Sequence, residues 1–160
     1  MRFAFLFAAC LPVLCQTSGG QLHTAKAPGE SHVTKAPGES VTLEISAESQ
    51  QGKAPVSLTW EVVFPVQLME LEGGAPEIGS TAIKAGKSLQ CTARTPYAYV
   101  CTLSGGQKPV ADGTIAIYHF KIRAKAKAGI TSLRIERAES TTVDSRKWTL
   151  NNTEAIVIIR

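Results

Sequence analysis

From Val41 to Ile159 the apolar residues of this chain recur at every second position, and a chain with that rhythm buries them by forming strands. The clearest run is Gly113 to Ile122, which follows Asp112 and leads into Arg123-Ala124-Lys125-Ala126-Lys127. One set of its side chains is Ala116, Tyr118, Phe120 and Ile122; the other is Ile115, Ile117, His119, Lys121 and Arg123. A strand sends the two sets to opposite faces of a sheet. The first set is apolar and needs a core. The second ends in charge, as a solvent face does, but opens with two isoleucines, which suits an outer face that also binds something.

The same alternation appears in Val41, Leu43 and Ile45, and again in Leu58, Trp60 and Val62 before Phe64-Pro65. Further strands are expected over 67–72, 97–103, 114–124, 130–138 and 155–160. Gly73-Gly74-Ala75-Pro76, Ser104-Gly105-Gly106, Gly129 and Asn151-Asn152 fall in the turns between them. The single helix candidate lies within 80–91, with Ser80 as a possible cap and Gly86 as its stop. About eight strands, almost no helix and frequent turns point to an all-β antiparallel sandwich. Its core should hold Trp60, Tyr118, Phe120, Leu133 and Ile135.

At 160 residues the chain fits one domain. Its N-terminus has the form of an export signal: Arg2, then an apolar run from Phe3 to Leu14 that is too short to span a bilayer. Cleavage before Gln16 fits, with a second site after Gly19. The expected layout is a signal peptide over 1–15, a flexible leader over 16–35 and a sandwich domain over 36–160. Lipid attachment at Cys10 or Cys15 fits less well, because one run is too short and Leu14 is large beside the other cysteine. The expected location is secreted or cell-envelope, with no membrane span. Lys26-Ala27-Pro28-Gly29-Glu30-Ser31 recurs as Lys35-Ala36-Pro37-Gly38-Glu39-Ser40. Only the second copy leads into an evident strand pattern; the first reads as a local duplication or an extra edge strand. Outside the signal the cysteines are Cys91 and Cys101. Two cysteines in an exported chain at this spacing are expected to form a disulfide.

Several motifs in this order resemble the cohesin domain. Pro37-Gly38-Glu39 turns into a first strand with Val41 and Leu43. Phe64-Pro65 followed by Leu68 ends another strand. Asp112-Gly113, Ala116, Phe120 and Ile122 form the most specific piece, and a final Val/Ile strand closes the module. The resemblance covers roughly residues 36–160. It implies a jelly-roll sandwich of about eight or nine strands and a non-catalytic binding module. Cohesins hold dockerin modules borne by secreted polysaccharide-degrading enzymes, and relatives of the fold bind cellulose or chitin. It implies a partner on an exposed sheet face, for which the outward candidates are Thr59, Glu61, Ile115, Ile117 and His119. The cysteine pair departs from the best-known cellulosomal members, so the partner need not be a dockerin.

Other chemistries find little support. The motifs of metalloproteases and of serine hydrolases with a nucleophile elbow do not occur. No phosphate loop precedes a helix. Asp112 and Asp144 are the only aspartates and Asn151 and Asn152 the only asparagines, too few for a calcium cage. Neither a metal nor another cofactor is expected. Glu61, Glu70, Glu72, Glu136 and Glu139 could supply a glycosidase pair, but separation is not legible in sequence, and with no aromatic cluster around them for sugar stacking surface charge is the simpler reading. Net charge is +4 and aromatics are 6%, without the dense basic and stacking patch that nucleic acid requires. Direct polysaccharide binding would use Tyr97, Tyr99 and Trp148, a thin platform beside a buried Trp60. Protein binding therefore ranks above sugar binding.

Overall fold

The computed structural model describes residues 21–25, 32–49 and 54–160, with side chains described from residue 32 onward. The expected signal peptide over 1–15 lies outside them. In chain order the elements are β1 (Gln21–Ala25), β2 (His32–Lys35), β3 (Ser40–Glu48), β4 (Pro55–Val63), β5 (Met69–Leu71), β6 (Glu77–Ile78), α1 (Ser80–Lys84), β7 (Ser88–Thr95), β8 (Ala98–Ser104), β9 (Gly113–Ile122), β10 (Gly129–Thr142), β11 (Lys147–Thr149) and β12 (Thr153–Ile159). Two sheets form. One runs β1-β3-β9-β5 with β6 also on β9, and the other runs β2-β12-β10-β4-β8-β7 with β11 on β10. This is the expected sandwich, with more strands than the alternation alone marked out. One pair departs from antiparallel order, because β2 lies parallel to β12.

Strands β1 and β2 fall in the stretch expected as a leader, and the first copy of the repeat is followed by an edge strand, β2. Strand β7 begins inside the stretch expected to hold the helix candidate, 80–91. Its inward residues Leu89 and Cys91 are only partly buried, as befits a strand paired on one side. An edge strand carries a weak apolar rhythm because half its surroundings are water.

The two layers meet through the alternating residues. Val41, Leu43 and Ile45 of β3 and Tyr118, Phe120 and Ile122 of β9 face Leu58, Trp60 and Val62 of β4, Leu133 and Ile135 of β10, and Val157 and Ile159 of β12. Two polar groups inside the core satisfy each other across the layers. The Trp60 indole donates to the Tyr118 hydroxyl at 2.9 Å. Phe64, Phe120 and Tyr118 continue the aromatic packing, with ring centroids 5.1 Å and 6.0 Å apart along that series.

Two of the bulges break the alternation at residues that matter for the outer faces. In β3–β9, Ile45 opposes Ala116 and Ser46 opposes Thr114, so Ile115 is the extra residue. The bulge overturns the outward assignment of Ile115, which is fully buried along with its neighbour Ala116. Gly79, just before α1, donates its backbone N–H to the Ile115 carbonyl at 2.9 Å. Gly79 rather than Ser80 is the N-cap. A Cβ on Gly79 would sit 2.3 Å from the Thr114 carbonyl oxygen, so no side chain fits between α1 and β9. Gly79→Ala should therefore cost about 1–3 kcal/mol in a urea melt; an unchanged midpoint would show that α1 can lift away freely.

The second bulge lies between β10 and β4. Glu136 opposes Glu61 and Glu139 opposes Thr59, leaving Arg137 and Ala138 across from Trp60 alone. Arg137 takes a positive φ of 51°. Strict alternation from Leu133 and Ile135 would point Arg137 into the core. The bulge turns it outward and gives the inward place to Ala138, which is buried.

Candidate docking face

The candidate partner contacts read from the sequence divide between the two sheets. Thr59 and Glu61 are on β4 of the larger sheet, and Ile117 and His119 are on β9 of the smaller one. These outer faces look away from each other across the sandwich, so the four do not form one face. The expectation of a joint surface is corrected on this point, because β4 and β9 pack through their inner faces.

On the smaller sheet, Ile117 is partly exposed and lies between Glu44 of β3 and Glu77 of β6. The Nδ1 of His119 is 3.2 Å from the Thr42 hydroxyl, and its Nε2 is 3.7 Å from a Glu77 carboxylate oxygen. Lys121 follows, exposed, opposite Ser40 and Glu70. The isoleucine that the alternation placed on an open face is thus set among charges.

On the larger sheet, four long strands align their outward residues into cross-strand rows. Gln90, Thr102, Thr59 and Glu139 form one row, and Thr92, Val100, Glu61 and Glu136 form the next. Val63 and Arg134 follow on β4 and β10. Hydroxyls and short aliphatic groups dominate the middle of this surface.

Glu61 points outward as its parity requires, yet it is 6% exposed. Two arginines cover it. Arg94 reaches across β8 from the edge strand β7, and Arg137 comes from the bulge of β10. Each donates to the same carboxylate oxygen, at 3.2 Å and 3.0 Å. Arg134 pairs with Glu136 at 3.1 Å beside them. The expectation of Glu61 as a freely exposed contact is corrected: it is the buried anchor of two arginine side chains that remain more than half exposed. Glu61→Gln should cost about 1–2 kcal/mol, because charge-assisted hydrogen bonds weaken while both arginines can still reach water. A loss above about 4 kcal/mol, the range for breaking a buried pair, would mean that the arginines are not free to solvate.

Neither arginine was singled out from the sequence. Arg137 did carry a signal: an arginine two residues past Ile135 on a core phase is what a bulge produces. Arg94 carried none, since its role depends on how far its side chain extends across a neighbouring strand.

The three aromatic residues considered for sugar binding do not form a platform. Tyr97 is 52% exposed in the turn between β7 and β8. Tyr99 faces inward and stacks on Phe64, with centroids 5.9 Å apart. Trp148 is partly buried on β11 opposite Ser140, a buried inward residue of β10. Tyr99 is level with Val62 and Trp148 with Leu58, four residues along β4 and so about 13 Å apart along the strand. Tyr97 borders a cleft of about 380 Å³, with Pro65, Gln67 and Arg134 among its lining, and Tyr99 lines a separate one of about 410 Å³ with Glu70 and Arg123.

Cys91 and Cys101 are directly opposite on β7 and β8 and form the expected disulfide. Among the described residues no group of three or more His, Cys, Asp and Glu side chains is arranged to hold a metal ion. No described helix is long and apolar enough to cross a membrane.

Comparison with solved structures identifies the class of fold. A type I cohesin–dockerin complex from Clostridium thermocellum contains a chain that matches with a TM-score of 0.71 at 16% identity, over 88% of this chain and 99% of that one. The cohesin module of a family 33 glycoside hydrolase from Clostridium perfringens matches with a TM-score of 0.71 at 12% identity, over 90% and 98%. A non-cellulosomal cohesin from Archaeoglobus fulgidus matches with a TM-score of 0.66 at 13% identity, over 88% and 91%. The chain has the cohesin fold. No protein-family model matches the sequence, and no curated protein matches it significantly.

Proposed function

We propose that this protein is an exported, non-catalytic docking module that binds a protein partner on the outer face of β10, β4, β8 and β7. The observation that carries the reading is the likeness to cohesin modules over nearly their whole length, one of them in a complex with a dockerin. The rows of hydroxyl and short aliphatic groups around Thr59, flanked by arginines already held in place by Glu61, support this choice of face. Such a surface loses little side-chain freedom when a partner covers it. The expected partner is a dockerin-type or other extracellular protein, with a link to polysaccharide degradation as the wider setting. The apolar run at the N-terminus and the disulfide support export.

Affinity capture from a secreted proteome tests the reading, using the protein without its first 15 residues. Thr59→Arg places a long cation in the middle of the proposed face and should weaken capture about tenfold or more. Ile117→Lys, on the opposite sheet, should leave it unchanged. The reverse pattern would move the partner to the β9 face. Direct polysaccharide binding is the alternative. It has one exposed ring, Tyr97, so retention on insoluble cellulose or chitin that is lost in Tyr97→Ala would favour it.

A further inference from the structure

The disulfide sits in a row that makes its two sulfurs unequal. Cys91 on β7, Cys101 on β8 and Trp60 on β4 are consecutive cross-strand partners. β7 ends the sheet, so Cys91 has an open edge beyond it, whereas Cys101 has Trp60 behind it. Cys101 is fully buried and Cys91 is partly exposed. In thiol–disulfide exchange the entering sulfur comes in line with the S–S bond, from behind the sulfur that it attacks. On the Cys91 side no further strand of the sheet follows, whereas on the Cys101 side the next strand carries Trp60.

The side from which a sulfur would depart is also furnished. The Tyr118 hydroxyl lies 3.0 Å from Cys101 Sγ and 2.9 Å from Trp60 Nε1. An indole N–H only donates, so the Tyr118 oxygen accepts there. A disulfide sulfur carries no proton, so the Tyr118 O–H is the donor to Cys101. Burial pushes the Tyr118 phenol well above its ordinary pKa, which keeps that proton in place. A hydrogen bond of this kind strengthens when the acceptor becomes an anion.

We propose that the bridge is a thiol-exchange site of fixed polarity, at which a small external thiol enters at Cys91 and Cys101 departs as a thiolate held by the Tyr118 hydroxyl. The thiolate of the reagent forms a new S–S bond to Cys91, the Cys91–Cys101 bond breaks, and its electron pair leaves on Cys101. A second thiol then releases Cys91 and is itself oxidised to the reagent disulfide. Two protein thiols result, and two reagent thiols are consumed.

Glutathione under native conditions tests this, with quenching by excess N-ethylmaleimide in urea, so that the buried Cys101 is reached, and mapping by mass spectrometry. Arg94 lies between the cysteines, so trypsin puts them on separate peptides. Glutathione should appear on Cys91 and maleimide on Cys101, with a bias of about tenfold or more that collapses toward parity in urea. Tyr118→Phe should slow entry about tenfold while preserving the polarity, since only the donor to the leaving sulfur is lost. Equal labelling in the native protein, glutathione on Cys101, no mixed disulfide, or wild-type exchange in a folded Tyr118→Phe protein would each overturn the proposal. If Tyr118→Phe does not fold, the labelling bias of the unaltered protein decides.

Discussion

Trp60→Ala is expected to lower the free energy of unfolding by about 3–5 kcal/mol. The side chain has no exposed surface and lies between the layers, with Cys101 beside it on β8 and Tyr118 against it from the other sheet. Truncation removes the largest buried side chain, opens a cavity in the middle of the sandwich, and leaves the Tyr118 oxygen without its indole donor. Against a total stability of about 5–15 kcal/mol for a domain of this kind, that is a large fraction. Urea melts of Trp60→Ala and Trp60→Phe separate the contributions. Trp60→Phe keeps most of the ring volume and should cost less, about 1–3 kcal/mol, chiefly for the lost hydrogen bond. A loss below about 1 kcal/mol for Trp60→Ala would mean that the layers do not meet at this residue.

Removing the disulfide is the second large effect. The bridge joins residues ten apart in sequence. Closing a loop of that size restricts the unfolded chain by about 3 kcal/mol on the chain-entropy account. The double substitution Cys91→Ala with Cys101→Val, chosen because Cys101 is the more deeply buried, should show that loss in a denaturant melt. Reduction of the unaltered protein should lower its melting temperature in the same direction. The β7 edge should loosen first, since without the bridge it is held on one side only, by backbone pairing with β8. Two titratable thiols in oxidised protein under denaturing conditions would refute the pairing.

Much of the fold was legible because the strands of a two-layer sandwich write their inner face directly into the sequence. Val41, Leu43 and Ile45, or Tyr118, Phe120 and Ile122, can be assigned from two-residue spacing alone, and each of them is buried. The spacing of Cys91 and Cys101 pointed to their bond. The edges were harder to read. In β7 the inward positions are Leu89 and Cys91 among serine, glutamine and threonine, a pattern that also suits a turn. In β2 and β11 the strands are too short to show a period.

The candidate site was less legible than the core. Thr59 was placed on an outer face by its parity, and it is partly exposed there. Glu61 was placed on the same face, but its burial comes from Arg94 and Arg137, which are 33 and 76 residues away in sequence. Ile115 was assigned to the wrong side because one extra residue in β9 ends the alternation, and nothing local to Thr114-Ile115-Ala116 marks where that residue falls.

By itself the sequence determined that this chain is built of strands, which residues of most strands face inward, and that its two later cysteines can pair. Each of these follows from the two-residue repeat of an extended backbone or from chemistry carried by the residues themselves. Only the tertiary structure decided the bulges at Ile115 and Arg137, the covering of Glu61, and the separation of Thr59 from Ile117 onto opposite sides. Those depend on how residues are counted against a partner strand and on which strands share a sheet, and neither quantity belongs to one segment of chain alone.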